Sequence, residues 1–351
     1  MKSDSENSIG ILDRRYILLE MLGDGSSSIV YKVKDSLSNK IYAAKVFIEY
    51  TEKMEKAIKQ EIEHNKIISQ NINNKFPNFI KYITSSVGPL ELKNGSQGSN
   101  TPEIKAYIIF EFGTKGTLID YITCKENIDE KFVKVIFLKI VEVVKYLHEL
   151  DLCHRDLKME NIVLCGEEFI IKLIDFGFSS KIKRLENGRV KYQAGKVGSK
   201  GYQAPEVIRG IPYNGEKADI FSLGVILFFL RIGQRGFEEA KCYNYNSFRV
   251  KNQPYLILYN LIRDNRQEYW TILEKGYPQK IRELSKQFRK LYLRMVAFEP
   301  KDRPTLDEIL NDDYFSDIRA LTKDQKQLLE EELIKEFRIR ESLIEKRKKA
   351  D

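Results

Sequence analysis

Residues 154–161 bring three polar groups of different chemistry within eight positions. They are the carboxylate of Asp156, the ammonium group of Lys158 and the carboxamide of Asn161, and a second carboxylate, Asp175, follows a short apolar run. Phosphoryl transfer needs a group that orients the attacking hydroxyl, and cations held against the phosphate oxygens. Asp156 suits the first role, and the oxygens of Asn161 and Asp175 suit Mg²⁺. The spacing therefore predicts a site for phosphoryl transfer.

The strings that carry these groups are His-Arg-Asp-Leu-Lys-Met-Glu-Asn at 154–161 and Asp-Phe-Gly at 175–177. Together they resemble the signature of the eukaryotic protein kinases. The resemblance covers residues 16–315. It implies a two-lobed α+β fold, with a small β-rich N-lobe and a larger helical C-lobe, and it implies ATP and Mg²⁺ as cofactors.

Two features of the same segment resemble the Ser/Thr branch of that family. Lys158 follows the catalytic Asp156 by two residues, where it can neutralise charge on the transferring phosphoryl group. Ser199 falls where Ser/Thr kinases carry a threonine that hydrogen-bonds the catalytic Asp and Lys. The Ala-Pro-Glu string at 204–206 favours a polypeptide substrate. The resemblance thus implies protein substrates with Ser/Thr acceptors.

A glycine-rich string begins at Gly23 between two predicted strands. By itself such a string is most often a hairpin turn. The lysine-bearing strand that follows, with Ala43 and Lys45, favours the nucleotide site that the resemblance implies, and the backbone of Glu111 and Gly113 would meet the adenine edge. The candidate nucleotide-binding residues are Leu22, Gly23, Asp24, Gly25, Ser26, Ser27, Ser28, Val30, Ala43, Lys45, Glu61, Glu111 and Gly113.

The phosphate-binding lysine needs an anionic partner if it is buried. The predicted helix at 51–69 offers two candidates, Glu61 and Glu63. Glu61 is preferred, because Ile62 and Ile68 then take the apolar positions that the family usually has. Glu63 remains the alternative.

The bulk composition excludes several classes of protein. With 42% hydrophobic and 31% charged residues, the 351-residue chain is not globally disordered. Its net charge of +8 is spread along the chain, so no nucleic-acid partner is predicted. Four cysteines without C-x-x-C spacing favour a reducing compartment, cytoplasmic or nuclear. The most apolar stretch, 221–230, is ten residues long and too short to span a membrane.

Element patterns divide the chain. Short β-branched and aromatic runs dominate the first third, and helical periods dominate the rest. The predicted parts are a flexible N-terminal segment at 1–13, a protein kinase domain at 14–315 with its N-lobe at about 14–113 and its C-lobe at about 114–315, a mobile insertion at 87–105, and a charged C-terminal helix at 316–351.

The activation segment departs from the family pattern. Between Lys181 and Gly198 there is no Ser or Thr, only Tyr192. Arg155 therefore lacks the phosphate partner that the resemblance implies. We expect activity that does not require Ser/Thr phosphorylation in this part of the segment.

The C-terminal segment carries a narrow apolar stripe at Leu329, Leu333, Phe337 and Ile344. A face this narrow does not make a stable free helix. It can dock on the large lobe or on a partner, or it can remain solvated. Its basic end resembles a calmodulin-target helix, so a regulatory partner is a further expectation.

Three functions compete. A Ser/Thr protein kinase is favoured, with a resemblance to the calcium/calmodulin-dependent group. The alternative is a pseudokinase that serves as a scaffold or binding module, but pseudokinases typically lose the lysine, the catalytic Asp or a metal ligand. Lys45, Asp156, Asn161 and Asp175 are all present. A small-molecule kinase of related fold is the third.

Overall fold

The computed structural model describes residues 9–25, 28–48, 51–72, 78–87, 106–125, 128–186, 188–240 and 258–349. The chain divides into two compact units, Met1–Thr114 and Lys115–Asp351. Each unit has an apolar core of its own.

The first unit is built on a six-stranded antiparallel sheet with the order β1-β2-β3-β4-β6-β5. Side chains alternate across it: Ala44 and Val46 of β4 are buried in the core, and Lys45 between them takes the other face. The strands are β1 (Gly10–Leu12), β2 (Tyr16–Asp24), β3 (Ser28–Asp35), β4 (Ile41–Phe47), β5 (Tyr82–Val87) and β6 (Ala106–Glu111). Residues 88–105, almost all of the predicted insertion, lie outside the described residues.

The edge strand β1 corrects one prediction. The sequence placed 1–13 in a flexible segment, yet Gly10–Leu12 pairs antiparallel with β2. Leu12 is only 1% exposed and packs in the same core as Tyr16. A strand of three residues is too short to show an alternating pattern, so burial of Leu12 was not predictable from periodicity.

A long helix of the first unit, α1 (Glu52–Asn71), is capped at its start by Thr51, whose side chain accepts from the amide of Met54. Its buried face includes Ile58, Glu61, Ile62, His64, Asn65 and Ile68. Asn65, a polar residue within this face, donates its side-chain amide to the carbonyl of Glu61 across 2.8 Å. This helix therefore presents the Glu61 carboxylate from a buried face that also carries His64 and Asn65.

The second unit is mainly helical, around the buried helix α5 (Gly215–Ile232). Short strands are β7 (Leu152–Cys153), β8 (Ile162–Cys165), β9 (Ile170–Leu173) and β10 (Ser180–Lys181). In the described part of this unit, the other α-helices before residue 316 are α2 (Leu118–Thr123), α3 (Glu130–Glu149), α4 (Pro205–Arg209), α6 (Leu258–Asp264), α7 (Arg266–Gly276), α8 (Pro278–Arg282), α9 (Lys286–Met295) and α10 (Leu306–Leu310). Among the described residues, no helix has the length and apolarity needed to cross a membrane.

The C-terminal segment is two helices rather than the single helix predicted for 316–351. A short helix, α11 (Ser316–Arg319), is followed by α12 (Lys323–Lys348), called the tail helix below. The break occurs because Thr322 and Gln325 form a capping box that starts a new helix.

Three of the four residues in the apolar stripe of the tail helix are buried against the rest of the second unit, and the fourth, Ile344, is half-buried. Leu329, Leu333 and Phe337 are 8%, 4% and 1% exposed. The predicted docking of this stripe is confirmed, and a solvated helix is excluded.

Candidate active site

The first unit positions Lys45 and its carboxylate partner. Lys45 Nζ lies 2.8 Å from Glu61 Oε1, and the two side chains are 14% and 4% exposed. Lys45 is on β4, and Glu61 is on the buried face of α1. Glu63, the alternative partner, is exposed. The pairing is therefore the one that the spacing of Ile62 and Ile68 favoured.

The glycine-rich string begins at the end of β2 and continues into β3. The amide of Gly25 donates to the carbonyl of Ser28 across 2.9 Å, and residues 26–27 lie outside the described residues. Val30 is the cross-strand neighbour of Lys45, so both side chains lie on one face of the sheet. The remaining candidates are Leu22, Gly23 and Asp24 in β2, Ala43 in β4, Glu111 at the end of β6 and Gly113 after it.

In the second unit, one buried carboxylate holds the loop that carries Asp156. Asp219 on α5 accepts from the amides of His154 and Arg155, each across 2.8 Å. Its Oδ2 also lies 2.9 Å from Nε2 of His148. Arg155 has a φ of 65°, a left-handed conformation that non-glycine residues adopt only where their surroundings enforce it. This anchor sets the backbone path into Asp156.

His154 has a structural role. Its Nε2 donates to the carbonyl of Ile174 across 3.0 Å, and its Nδ1 accepts from the amide of Asp156 across 3.2 Å. Its ring lies 5.1 Å from the ring of Phe176. Both ring nitrogens are thus used within the fold.

Burial raises the pKa of the neighbouring Cys153 thiol to about 11, so this thiol stays protonated at neutral pH.

Asp156 is 3% exposed, and both of its carboxylate oxygens contact donors. Its Oδ1 accepts from the amide of Ser199 across 2.6 Å, and its Oδ2 lies 3.3 Å from Nζ of Lys158 and 3.3 Å from Nδ2 of Asn161. Lys158 also donates to Oγ of Ser199 across 2.8 Å. The contact between Ser199 and Lys158 is the expected one. The contact with Asp156 is made by the backbone amide of Ser199, not by its hydroxyl.

Asn161 and Asp175 lie at the open end of the β8–β9 hairpin. β8 begins directly after Asn161, and β9 ends two residues before Asp175. The amide of Ile174 donates to the carbonyl of Asn161 across 3.0 Å, which ties the two ends together. Asn161 Nδ2 donates to the carbonyl of Asp156 across 2.9 Å, so its side-chain oxygen is the atom suited to a cation.

This donor set fits Mg²⁺. A carboxylate and a carboxamide oxygen match an ion that keeps several waters and binds phosphate oxygens as well. Among the described residues, no cluster of three His, Cys, Asp or Glu side chains could hold a metal by itself. A cation at Asn161 and Asp175 would therefore depend on further oxygens from a nucleotide.

Comparison with known proteins decides the family. The protein kinase domain family matches residues 16–315. This chain belongs to the protein kinase family. It is 30% identical to testis-specific serine/threonine-protein kinase 1 of Mus musculus over 307 residues. The aligned region covers 86% of this chain and 72% of that protein.

Two further relatives are matched over part of their length. Testis-specific serine/threonine-protein kinase 2 of Mus musculus is 41% identical over 140 residues, 40% of this chain and 39% of that protein. The SNF-related serine/threonine-protein kinase of Homo sapiens is 35% identical over 215 residues, 60% of this chain and 24% of that protein. The kinase described here is thus a serine/threonine protein kinase domain, and its relatives agree with the resemblance to the calcium/calmodulin-dependent group.

The activation segment of this kinase ends on a buried ion pair. Nη1 and Nη2 of Arg303 lie 2.6 and 2.7 Å from the two carboxylate oxygens of Glu206. The guanidinium also donates to the carbonyls of Ala297, Lys217 and Phe298. All five N–H groups of Arg303 are therefore used, which leaves none for a ligand.

Arg155, for which the sequence showed no phosphate partner, is bonded within the chain. Its Nε donates to the carbonyl of Phe178 across 2.7 Å, and its Nη1 lies 3.5 Å from the hydroxyl of Tyr213. No sequence signal identifies a backbone carbonyl as a partner. A cavity of about 220 Å³ beside it is lined by Arg155, Ser180, Lys181, Lys183, Lys191, Tyr192 and Gln193.

Gly198 lets the activation segment approach the catalytic loop. It has a φ of +94°, and a Cβ added to it would lie 2.5 Å from the carbonyl oxygen of Arg155. Only glycine fits such an approach. The contact brings the amide of the next residue, Ser199, onto Asp156. Sequence reasoning used Gly198 as a landmark and missed this role.

Proposed function

We propose that this kinase transfers the γ-phosphate of ATP to serine and threonine hydroxyls of proteins. Asp156 orients the acceptor hydroxyl, and Lys158 neutralises charge on the phosphoryl group. The observation that carries the proposal is the hydrogen-bonded group of Asp156, Lys158 and Ser199. A group positioned in advance contributes most to catalysis, because no reorganisation is needed at the moment of reaction.

The cofactors in this proposal are ATP and Mg²⁺. When bound, the metal neutralises charge on the phosphates. Asn161 and Asp175 would supply its protein oxygens, and Lys45, held by Glu61, would bind the α- and β-phosphates. Small residues from Gly23 onward allow the backbone to approach phosphates, and Val30 lies on the same face of the sheet as Lys45.

The Ser/Thr preference follows from the acceptor side of the site. Lys158 and Ser199 are bonded to one another beside Asp156, as the resemblance to Ser/Thr kinases implies. A pseudokinase scaffold is not favoured, because the lysine, the catalytic carboxylate and both metal-ligand candidates are present.

The test is Asp156→Asn, which preserves size and removes the negative charge. We expect kcat on a Ser/Thr peptide library to fall by about 10²–10⁴, with nucleotide affinity close to that of the wild type. The matched control is Asp151→Asn, the same substitution at a carboxylate that is 63% exposed. Near-wild-type turnover of Asp156→Asn would overturn the assignment. A library with Ser, Thr and Tyr acceptors tests the choice of hydroxyl in the same assay.

A regulatory partner of the tail helix would have to compete with the packing of that helix on the second unit. Leu329, Leu333 and Phe337 are buried there. Any calmodulin-type recognition therefore requires that the helix first leave this surface.

A further inference from the structure

The tail helix packs one aromatic ring against two other rings of the second unit, Tyr121 and Phe169, whose centroids lie 5.8 Å apart. Phe337 is 1% exposed, and its ring centroid lies 5.4 Å from that of Tyr121 and 5.5 Å from that of Phe169. Tyr121 belongs to α2, and Phe169 ends the turn that joins β8 to β9. Phe169 has a φ of 50°, a conformation that a bulky residue keeps only when its surroundings hold it.

The same helix binds the end of α2. Arg340 is fully buried and donates from Nη1 to the carbonyls of Tyr121 and Lys125, across 2.8 and 3.2 Å. Two turns further along the tail helix, Arg347 donates to the carbonyl of Cys124, the C-cap residue of α2, across 2.6 Å. The last carbonyls of a helix have no partner within that helix. The tail helix thus supplies donors to the carbonyls of Tyr121, Cys124 and Lys125 at the end of α2, from residues more than two hundred positions away.

A third contact reaches the segment just before α2. Lys115 Nζ lies 3.0 Å from Glu167 in the hairpin turn and 3.1 Å from Glu341 of the tail helix. The backbone of this segment runs beside β8: the amide of Lys115 donates to the carbonyl of Leu164, and the amide of Leu164 donates to the carbonyl of Gly116. The tail helix therefore contacts both the β8–β9 turn and the segment that runs beside β8.

The β8–β9 hairpin connects these contacts to the candidate metal ligands. Its four residue pairs run from Cys165↔Ile170 at the turn to Ile162↔Leu173 at the open end. The paired strands are about 10–13 Å long, so the turn lies at a short distance from both ligands through one hydrogen-bonded ribbon. Asn161 precedes its first strand, and Asp175 follows its second. A displacement at the turn is therefore transmitted to both ligands.

We infer that Phe337 and Arg340 are positioning residues for phosphoryl transfer: the tail helix holds the closed end of the β8–β9 hairpin and thereby sets the positions of Asn161 and Asp175. This inference rests on the proposed roles of those two residues as Mg²⁺ ligands. Phe337 and Arg340 do not touch substrate. They act through the hairpin and through the segment beside β8.

The test compares full-length Phe337→Ala and Arg340→Gln with Ile339→Ala, a residue of the same helix that is 53% exposed. Hydrogen exchange in the nucleotide-free protein is followed at 162–173 and, as an internal reference, at 218–230. We expect faster exchange in the hairpin with the reference unchanged, and an Mg²⁺ requirement for turnover raised about tenfold, the lower end of the effect of groups that orient metal ligands. Ile339→Ala is expected to match the wild type, and Phe337→Leu to restore part of the loss.

Two outcomes would overturn the inference. A lower melting temperature with unchanged hairpin exchange and an unchanged Mg²⁺ requirement would show a purely stabilising helix and overturn it. Higher activity in Phe337→Ala would show an inhibitory helix and also overturn it. If Phe337→Ala does not fold, Phe337→Leu and the milder Glu341→Gln decide by the same two readouts. If Asp175→Asn leaves the Mg²⁺ requirement unchanged, the proposed function itself fails, whatever the tail variants do.

Discussion

Two ion pairs, one in each unit, are buried but built differently. Lys45 and Glu61 meet through one contact of 2.8 Å, and the lysine side chain keeps 14% exposure. Arg303 and Glu206 meet through two contacts of 2.6 and 2.7 Å, and the arginine is completely buried. An ammonium group is a compact charge that can turn towards a second anion, whereas a guanidinium with all its donors used cannot.

The difference separates a binding group from a structural one. Lys45 can hold Glu61 and a nucleotide phosphate at once, because its three donors are not tied to one planar geometry. Arg303 joins Glu206 at the end of the activation segment to three backbone carbonyls, which is a role in stability. Breaking each pair is therefore expected to affect a different measurement.

The largest effect is expected from Lys45→Met. We expect the rate of phosphoryl transfer to fall by about 10²–10³, because a donor aimed at developing charge is removed. The melting temperature is expected to fall less than it does in Glu206→Gln, because the Lys45 side chain is partly exposed and the pair has fewer contacts. Glu61→Gln is expected to act in the same direction, and Glu63→Gln, exposed on the same helix, is the matched control. If Glu63→Gln is damaging and Glu61→Gln is silent, the role given to this pair is wrong.

The next effect is expected on stability, from Glu206→Gln. Removal of one member leaves the charge of Arg303 buried without its counterion, which costs about 3–5 kcal/mol of the free energy of unfolding. Glu299→Gln, an exposed glutamate near Arg303 in sequence, serves as the control. Denaturant unfolding measures both. If Lys45→Met lowers stability more than Glu206→Gln does, the distinction between the two pairs collapses.

The smallest effect is expected from a third ion pair, Arg15 and Asp35, which is half-exposed and extends the comparison of the two buried pairs. Arg15 is 45% exposed, and its hydrogen bond to buried Asp35 holds the pKa of that carboxyl well below its usual range. Because the pKa of Asp35 is lower in the folded state than in the unfolded state, its ionised carboxylate stabilises the fold at pH values above the unfolded pKa of 3.8. This contribution is lost as the pH falls through the folded pKa. Asp35→Asn is therefore expected to lower the urea midpoint near neutral pH. The difference in urea midpoint between Asp35→Asn and the wild type is expected to be smaller at a pH of about 2.5 than at neutral pH. An equal gap at both pH values would contradict this account.

Sequence patterns predicted those parts of the site that depend on local spacing. The register that pairs Lys45 with Glu61 followed from the apolar positions Ile62 and Ile68. The apolar stripe of the tail helix predicted which residues would be buried, because a narrow stripe needs a surface to cover it.

The parts that could not be predicted depend on backbone groups brought together from distant positions. The long-range partners of Arg155 and Arg340 include the carbonyl oxygens of Phe178, Tyr121 and Lys125. Every residue carries a carbonyl oxygen, so no side-chain pattern identifies these contacts. Arg340 lies in a densely charged helix, where the usual expectation is an exposed side chain. The short strand Gly10–Leu12 carries too few residues to show a period.

The contacts of the tail helix also have a consequence for folding during synthesis. Arg340 and its partner Tyr121 are separated by 219 residues, and Arg347 and Cys124 by 223. At about 5–20 residues per second, a ribosome needs roughly 10–45 s to add the intervening chain. During that time the rings of Tyr121 and Phe169 and the last carbonyls of α2 lie uncovered on the nascent polypeptide. A chaperone can therefore bind this apolar patch before the tail helix has been synthesised and covers it.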